Sequence, residues 1–149
     1  MTPSGQMPTE QQLREDYTML ETAKAQLEAL VRQQQLIQLA VDEHVRARET
    51  IKQLEKGNPG DDVLVPLGAE SYIHSKISDN RDVIVGVGSG VSTKRSAADA
   101  EKILDGKIDD LSRAFKAVAD RAAQTEALIQ ELSEKVQSQV DLLQSAGRA

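Results

Sequence analysis

Apolar residues recur at alternating intervals of three and four through two long stretches of this chain, and the segment between them obeys a different rule. In the first stretch one heptad phase places Leu13, Leu20, Leu27, Gln34, Val41 and Arg48 at position a, with Ala23, Leu30, Ile37, His44 and Ile51 at d. In the second, Ile108, Phe115, Ala122, Ile129, Val136 and Leu143 occupy a, and Leu104, Leu111, Val118, Thr125 and Leu132 occupy d. A repeat averaging about 3.5 residues, sustained over so many heptads, predicts coiled-coil helices rather than helices of a globular core. Asp16, Gln34, His44 and Arg48 interrupt the first seam. Polar seam residues cost stability and fix register. Tyr17, Val31 and Val45 widen the first stripe by one neighbouring position.

From Asp61 to Arg95 the composition changes to β-branched residues punctuated by glycine, which favours strand over helix. Strands are expected over 63–67, 71–77, 83–87 and 91–95, with Pro66 marking an edge or strand end. Gly68-Ala69-Glu70, Asp79-Asn80-Arg81 and Gly88-Ser89-Gly90 supply the turns, so two consecutive β-hairpins result. Ile73 and Ile77 face one way; Tyr72, His74 and Lys76 face the other.

The boundaries follow from capping chemistry. Residues 1–8 form an expected disordered tail. Thr9 with Gln12 makes a capping box that opens a first helix over 9–56. Gly57 is a natural C′ residue, and Asn58-Pro59-Gly60 stops the helix. The hairpin segment covers 57–95. Ser96 with Asp99 caps a second helix over 96–146, which Gly147 ends. Gly106 weakens that helix by roughly 1 kcal/mol against alanine. The expected fold class is α+β and mainly helical, with a long antiparallel coiled coil of N- and C-terminal helices joined by the two hairpins. Helices of this length would each span roughly 60–70 Å, with both chain termini at the tip far from the hairpins.

Composition narrows the partners. Tyr17, Tyr72 and Phe115 are the only aromatic residues, so the core must be aliphatic and thin, which points to elongated helices or to a core completed by partner chains. Two hairpins cannot bury both their faces alone, and their edges predict oligomerisation. The net charge of −6 is spread without a basic block, which argues against nucleic acid. Cysteine is absent, which removes disulfides and thiolate metal sites and fits a reducing compartment. No apolar run suits a bilayer, and the polar start Met1-Thr-Pro-Ser-Gly-Gln6 is no signal peptide. A soluble cytoplasmic protein without membrane partners is expected.

The chain offers little for catalysis. His44 lies on a helix seam and His74 in mid-strand, so each has a structural reading. Gly86-Val-Gly-Ser-Gly90 has the glycines of a phosphate loop, but it leads into a strand and lacks the Gly-Lys-Ser/Thr ending. The carboxylates spread over solvated helix faces. No active site, cofactor or metal is expected, and the chain is not read as an enzyme. The far tip is more informative. Met7, Leu13 and Tyr17 meet Val136, Val140, Leu142 and Leu143 there, with Ile129 and Leu132 behind them. Val140, Leu142 and Leu143 exceed what one two-helix seam needs. These residues either close the end of the coil or form an apolar tip that grips non-polar surface, each side chain then giving roughly 1.5–3 kcal/mol on full burial.

Val65-Pro66-Leu67-Gly68, then Tyr72-Ile73 and Ile77, then Val83-Ile-Val-Gly-Val-Gly88 with Gly90 and Lys94, stand between coiled-coil helices. In order, spacing and architecture the chain resembles the α-class subunits of archaeal-type prefoldin, whose two hairpins separate them from the one-hairpin β class. The resemblance covers nearly everything after the tail. It implies a hexamer of two α-class and four β-class subunits, with hairpins joined in a β-barrel platform and six coiled coils hanging from it. It implies a molecular chaperone that holds non-native polypeptides at the coil tips. Delivery to a group II chaperonin follows, without ATP. The platform role would fall on Val63, Val65, Leu67, Tyr72, Ile73, Ile77, Val83, Val85, Val87 and Val91, and client binding on the seven tip residues Met7, Leu13, Tyr17, Val136, Val140, Leu142 and Leu143. The alternative is a non-chaperone coiled-coil adaptor or an RNA-polymerase-associated factor. Factors of the transcript-cleavage type present an acidic loop where two helices meet, whereas here some forty residues of β structure join the helices.

Overall fold

The computed structural model describes residues 7–78 and 82–147. Its elements are α1 (Glu10–Lys56), β1 (Asp62–Gly68), β2 (Ser71–Lys76), β3 (Asp82–Gly88), β4 (Val91–Ser96) and α2 (Ala97–Gly147). Two long helices, of 47 and 51 residues, therefore enclose two antiparallel hairpins, and the expected fold class is borne out. Residues 1–6 of the expected tail, the expected turn Asp79-Asn80-Arg81, and Arg148 and Ala149 lie outside the described residues.

The helix starts are built as their sequences demand. Thr9 Oγ1 accepts from the Gln12 N–H at 3.1 Å, while Gln12 Oε1 accepts from the Thr9 N–H at 3.0 Å. Two of the otherwise unpaired donors at the start of α1 are satisfied reciprocally. At α2 the Asp99 N–H donates to Ser96 Oγ at 3.2 Å. The end of α1 differs from expectation. Gly57 does not adopt the left-handed C′ conformation; the positive φ falls on Gly60, at 90°. Asp61 N–H donates to the Asn58 carbonyl at 3.1 Å, with Pro59 and Gly60 between them. That is the arrangement of a type II turn, which wants proline and then glycine at its centre. The Asp61 carboxylate closes the loop by accepting from the Asn58 N–H at 2.8 Å. Asn58-Pro59-Gly60 thus stops the helix as its sequence implies, and only the C′ role expected of Gly57 is not taken up.

The two hairpins repeat one design. Asp62-Val-Leu-Val-Pro-Leu-Gly68 and Asp82-Val-Ile-Val-Gly-Val-Gly88 share register, with Val65 opposite Ile73 and Val85 opposite Thr93. Each pair carries an irregularity before its second glycine, between Pro66 and Gly68 and between Gly86 and Gly88. Gly68-Ala69-Glu70 and Gly88-Ser89-Gly90 all have positive φ, the sense that two-residue hairpin turns require. The hairpins form separate two-stranded sheets.

Two compact units can be told apart, one formed by residues up to Ile37 with those from Ala114 on, the other by Gln38–Arg113. In the first unit Leu20, Ala23 and Leu132 are buried together with Ile129 and Val136 against them, and Leu30, Val118 and Ala122 form a second cluster with Leu27 and Ile37. Early residues of α1 meet late residues of α2, so the helices run antiparallel there. In the second unit Ile51, Val85, Ala100 and Leu104 form the core, with Val83, Ala97 and Ile103 packed on it. Every seam position named from the heptads is buried or half-buried. Of the three residues expected to widen the first stripe, Val45 is half-buried, while Tyr17 and Val31 stay exposed.

Candidate functional site

The hairpin unit presents apolar surface unequally. Val85 is 6% exposed beneath Ile51, Ala100 and Leu104, whereas Val65, at the same place in the repeat, is 42% exposed. Val83 also packs on the helices, and Val63 and Ile77 are half-buried. Leu67, Tyr72, Ile73, Val87 and Val91 are exposed. Two residues outside the expected platform set, Leu64 and Ile84, are exposed as well, Ile84 at 76%. The set expected on a platform therefore divides: Val83 and Val85 are committed to this chain's own helices, Val63 and Ile77 are half-buried, and the others are open. Alternation along the strands marked Leu64 and Ile84 as the opposite face. Nothing in the shared pattern distinguishes the covered hairpin from the bare one.

The histidines and glycines take structural roles. His44 is half-buried, with Nδ1 at 2.6 Å from the Ala40 carbonyl oxygen of its own helix. His74 is exposed opposite Leu64. The Gly86–Gly90 run is strand and hairpin turn. Arg48, at a seam position, donates from its guanidinium to Asp105 at 3.0 Å across the helix pair, which holds its pKa above the ordinary arginine value. Among the described residues no group of histidine and carboxylate side chains is placed to hold a metal ion, and no helix is long and apolar enough to cross a membrane.

The unit that holds both chain ends carries two apolar grooves. Leu13, Tyr17, Val136 and Val140 line one, with Arg14 and Thr18 at its rim, in a volume of about 480 Å³. Met19, Thr22, Gln26 and Leu128 border another. Tyr17 is 54% exposed and Leu142 46%, and Met7 is exposed too. Leu13, Val136, Val140 and Leu143 are half-buried. Four of the seven expected tip residues are thus brought into one groove, while Met7, Leu142 and Leu143 stand outside it. Met19 and Leu128 were not expected; their signal is an apolar residue at heptad position g, where charge is usual. Gln139 was also missed, although it lies one heptad after Leu132. Its Nε2 donates to Asp16 Oδ2 at 2.8 Å, and Lys135 Nζ lies 3.2 Å from the same oxygen. Asp16 and Gln139 are both buried, forming a polar layer inside the seam.

These features define a class: a coiled-coil protein whose helices are joined by paired β-hairpins and whose open surfaces are apolar. The sequence profile of the family described as prefoldin subunit matches residues 23–141. Prefoldin subunit alpha of Pyrococcus horikoshii is 32% identical over 130 residues, 85% of this chain and 84% of that protein. Prefoldin subunit alpha of Nitrosopumilus maritimus is 34% identical over 91% of this chain and 88% of its own. Human prefoldin subunit 5 is 28% identical over 85% of this chain and 78% of its own. In fold the chain is similar to a subunit of filamentous prefoldin from Methanocaldococcus jannaschii, with a TM-score of 0.67 at 23% identity, covering 77% of this chain and 95% of that one. The prefoldin beta subunit from Thermococcus strain KS-1 gives 0.58 at 21% identity, covering 89% and 94%. The chain belongs to the prefoldin family of chaperone subunits, and the resemblance to its α class is borne out by the relatives of that name.

Proposed function

We propose that this chain is the α-class subunit of a cytoplasmic prefoldin hexamer, two α with four β, that holds non-native polypeptides and hands them to a group II chaperonin without ATP. The observation that carries the reading is the incompleteness of the hairpin unit. Two separate two-stranded sheets leave Leu64, Tyr72, Ile73 and Ile84 in solvent, and an isolated hairpin is only marginally stable. Neighbouring hairpins complete such sheets. The groove of Leu13, Tyr17, Val136 and Val140 supplies the second half of the reading. Apolar segments of an unfolded chain bind there weakly, and several such grooves acting together raise affinity by roughly 10²–10⁴. Weak single contacts also permit stepwise release to a second chaperone.

The test is the native mass of the chain co-expressed with a prefoldin β-class subunit, followed by an aggregation assay on an unfolded client. A complex of two copies with four partners that suppresses aggregation without nucleotide is expected. A lone monomer or dimer with no partner uptake would overturn the platform. A complex that leaves aggregation unchanged would overturn the chaperone half and favour an adaptor.

A further inference from the structure

We propose that Met19 is a modification site: peroxide converts its thioether to the sulfoxide, which loosens the grip on non-native chains and leaves the coil folded. The proposal rests on the chaperone reading above and adds a chemical control to it. Oxidisable sulfur is confined in this sequence. Cysteine is absent, and the methionines stand at positions 1, 7 and 19. Met7 and Met19, 51% and 53% exposed, both belong to the unit that holds the chain ends. Their surroundings differ. Met7 precedes the capping box of α1 and lines neither groove. Met19 lines the groove it shares with Thr22, Ala23, Leu128 and Leu132, a volume of about 250 Å³. Thr18 borders both this groove and that of Leu13, Tyr17, Val136 and Val140. An apolar stretch held in one can therefore continue into the other across a single residue, and Met19 lies on that path.

Position decides what oxidation does. The next residue, Leu20, is buried with Ala23 and Leu132 and carries the helix pair, whereas Met19 at g keeps half its surface in water. That half is open to a small oxidant and free to be covered by a bound chain. An unbranched thioether adapts to apolar surfaces of many shapes, which suits a contact that meets unrelated sequences. In the reaction the sulfur lone pair attacks one oxygen of hydrogen peroxide. The S–O bond forms as the O–O bond breaks, and the departing hydroxide takes the proton of the transferred oxygen and leaves as water. Sulfur loses two electrons and peroxide gains them. The product is a polar side chain in a mostly apolar groove. Covering it with apolar surface costs free energy that the thioether did not. A dithiol reductase reverses the step, removing the oxygen as water while its two thiols become a disulfide.

The test uses the complex of this chain with a prefoldin β-class subunit, before and after hydrogen peroxide, with an unfolded client. Peptide mass mapping is expected to find one added oxygen on Met19, and bound client slows that uptake. The concentration giving half protection against aggregation rises about threefold or more. In Met19→Leu the rise shrinks to what the other methionines of the complex cause, while Met7→Leu keeps it in full. Native mass and thermal unfolding after peroxide are the same with Met19 as with Met19→Leu. Met19→Gln, polar without oxidation, weakens protection in the untreated complex. Oxygen on Met19 with protection unchanged would overturn the inference, as would an equal loss in Met19→Leu or an uptake that bound client does not slow. Thermal stability lower with oxidised Met19 than with Met19→Leu would mean damage to the coil, again overturning it. An untreated complex that protects no client fails the chaperone reading itself, and the inference with it.

Discussion

Gly106 sits inside α2 with open space where a Cβ would project. Glycine there carries only the entropic penalty of a flexible residue in a helix. Gly106→Ala is therefore expected to stabilise the chain by about 0.5–1 kcal/mol in urea denaturation. A second residue-scale strain lies at the first hairpin turn. Ala69 has φ 50° and Glu70 φ 61°, and left-handed backbone costs an L-residue roughly 1–2 kcal/mol. The other hairpin eases the same turn with Gly90 at its second position. Ala69→Asn with Glu70→Gly fits the preferred chemistry of such a turn and should raise stability by about 1 kcal/mol or more, measured in the same way. Unchanged stability would mean that the turn is not strained in solution. At this scale the sequence was largely legible. Thr9 with Gln12 and Ser96 with Asp99 cap as their residue types imply, because those bonds span three residues. Gly57 is not needed as a left-handed C′ residue because Asn58-Pro59-Gly60, legible in the sequence as the stop, closes that end of the helix.

At the scale of elements, the heptad seams were legible except at the polar Gln139, since burial in a helix pair follows position in the repeat. What the repeat could not reveal is which hairpin its own helices cover. Val63-Leu-Val65 and Val83-Ile-Val85 are nearly the same string, and only tertiary packing separates them. A charge at Val85 would lie unpaired under Ile51, Ala100 and Leu104. Val85→Asp is thus expected to destabilise the chain itself by about 3–5 kcal/mol, before any partner is involved. Denaturation of the unassembled variant checks this; wild-type stability would place Val85 at an interface between chains. The polar layer of Asp16 and Gln139 makes a separate prediction. Gln139→Leu strips a buried carboxylate of one partner and should cost about 1–3 kcal/mol. Replacing Asp16 with leucine as well should recover that loss, because a well-packed apolar pair commonly equals or exceeds a buried polar one. Thermal denaturation of both variants decides it.

At the scale of the whole molecule, the candidate surfaces were legible only by their place in the chain. The apolar surplus at Val140, Leu142 and Leu143 was visible in the sequence, but its division between groove and seam edge needed the packed helices. Leu142→Ser with Leu143→Ser should weaken protection of an unfolded client and leave the native mass of the complex unchanged. Full protection by that variant would take these residues out of the grip. The bare hairpin has a consequence of another kind. If partner hairpins complete its sheet, as proposed, a copy without partners leaves Leu64 and Ile73 of the bare hairpin in water. Each surplus copy made beyond the supply of its neighbours is then a sticky one. The ratio in which a cell synthesises the subunits thus becomes a condition of this chain's own solubility.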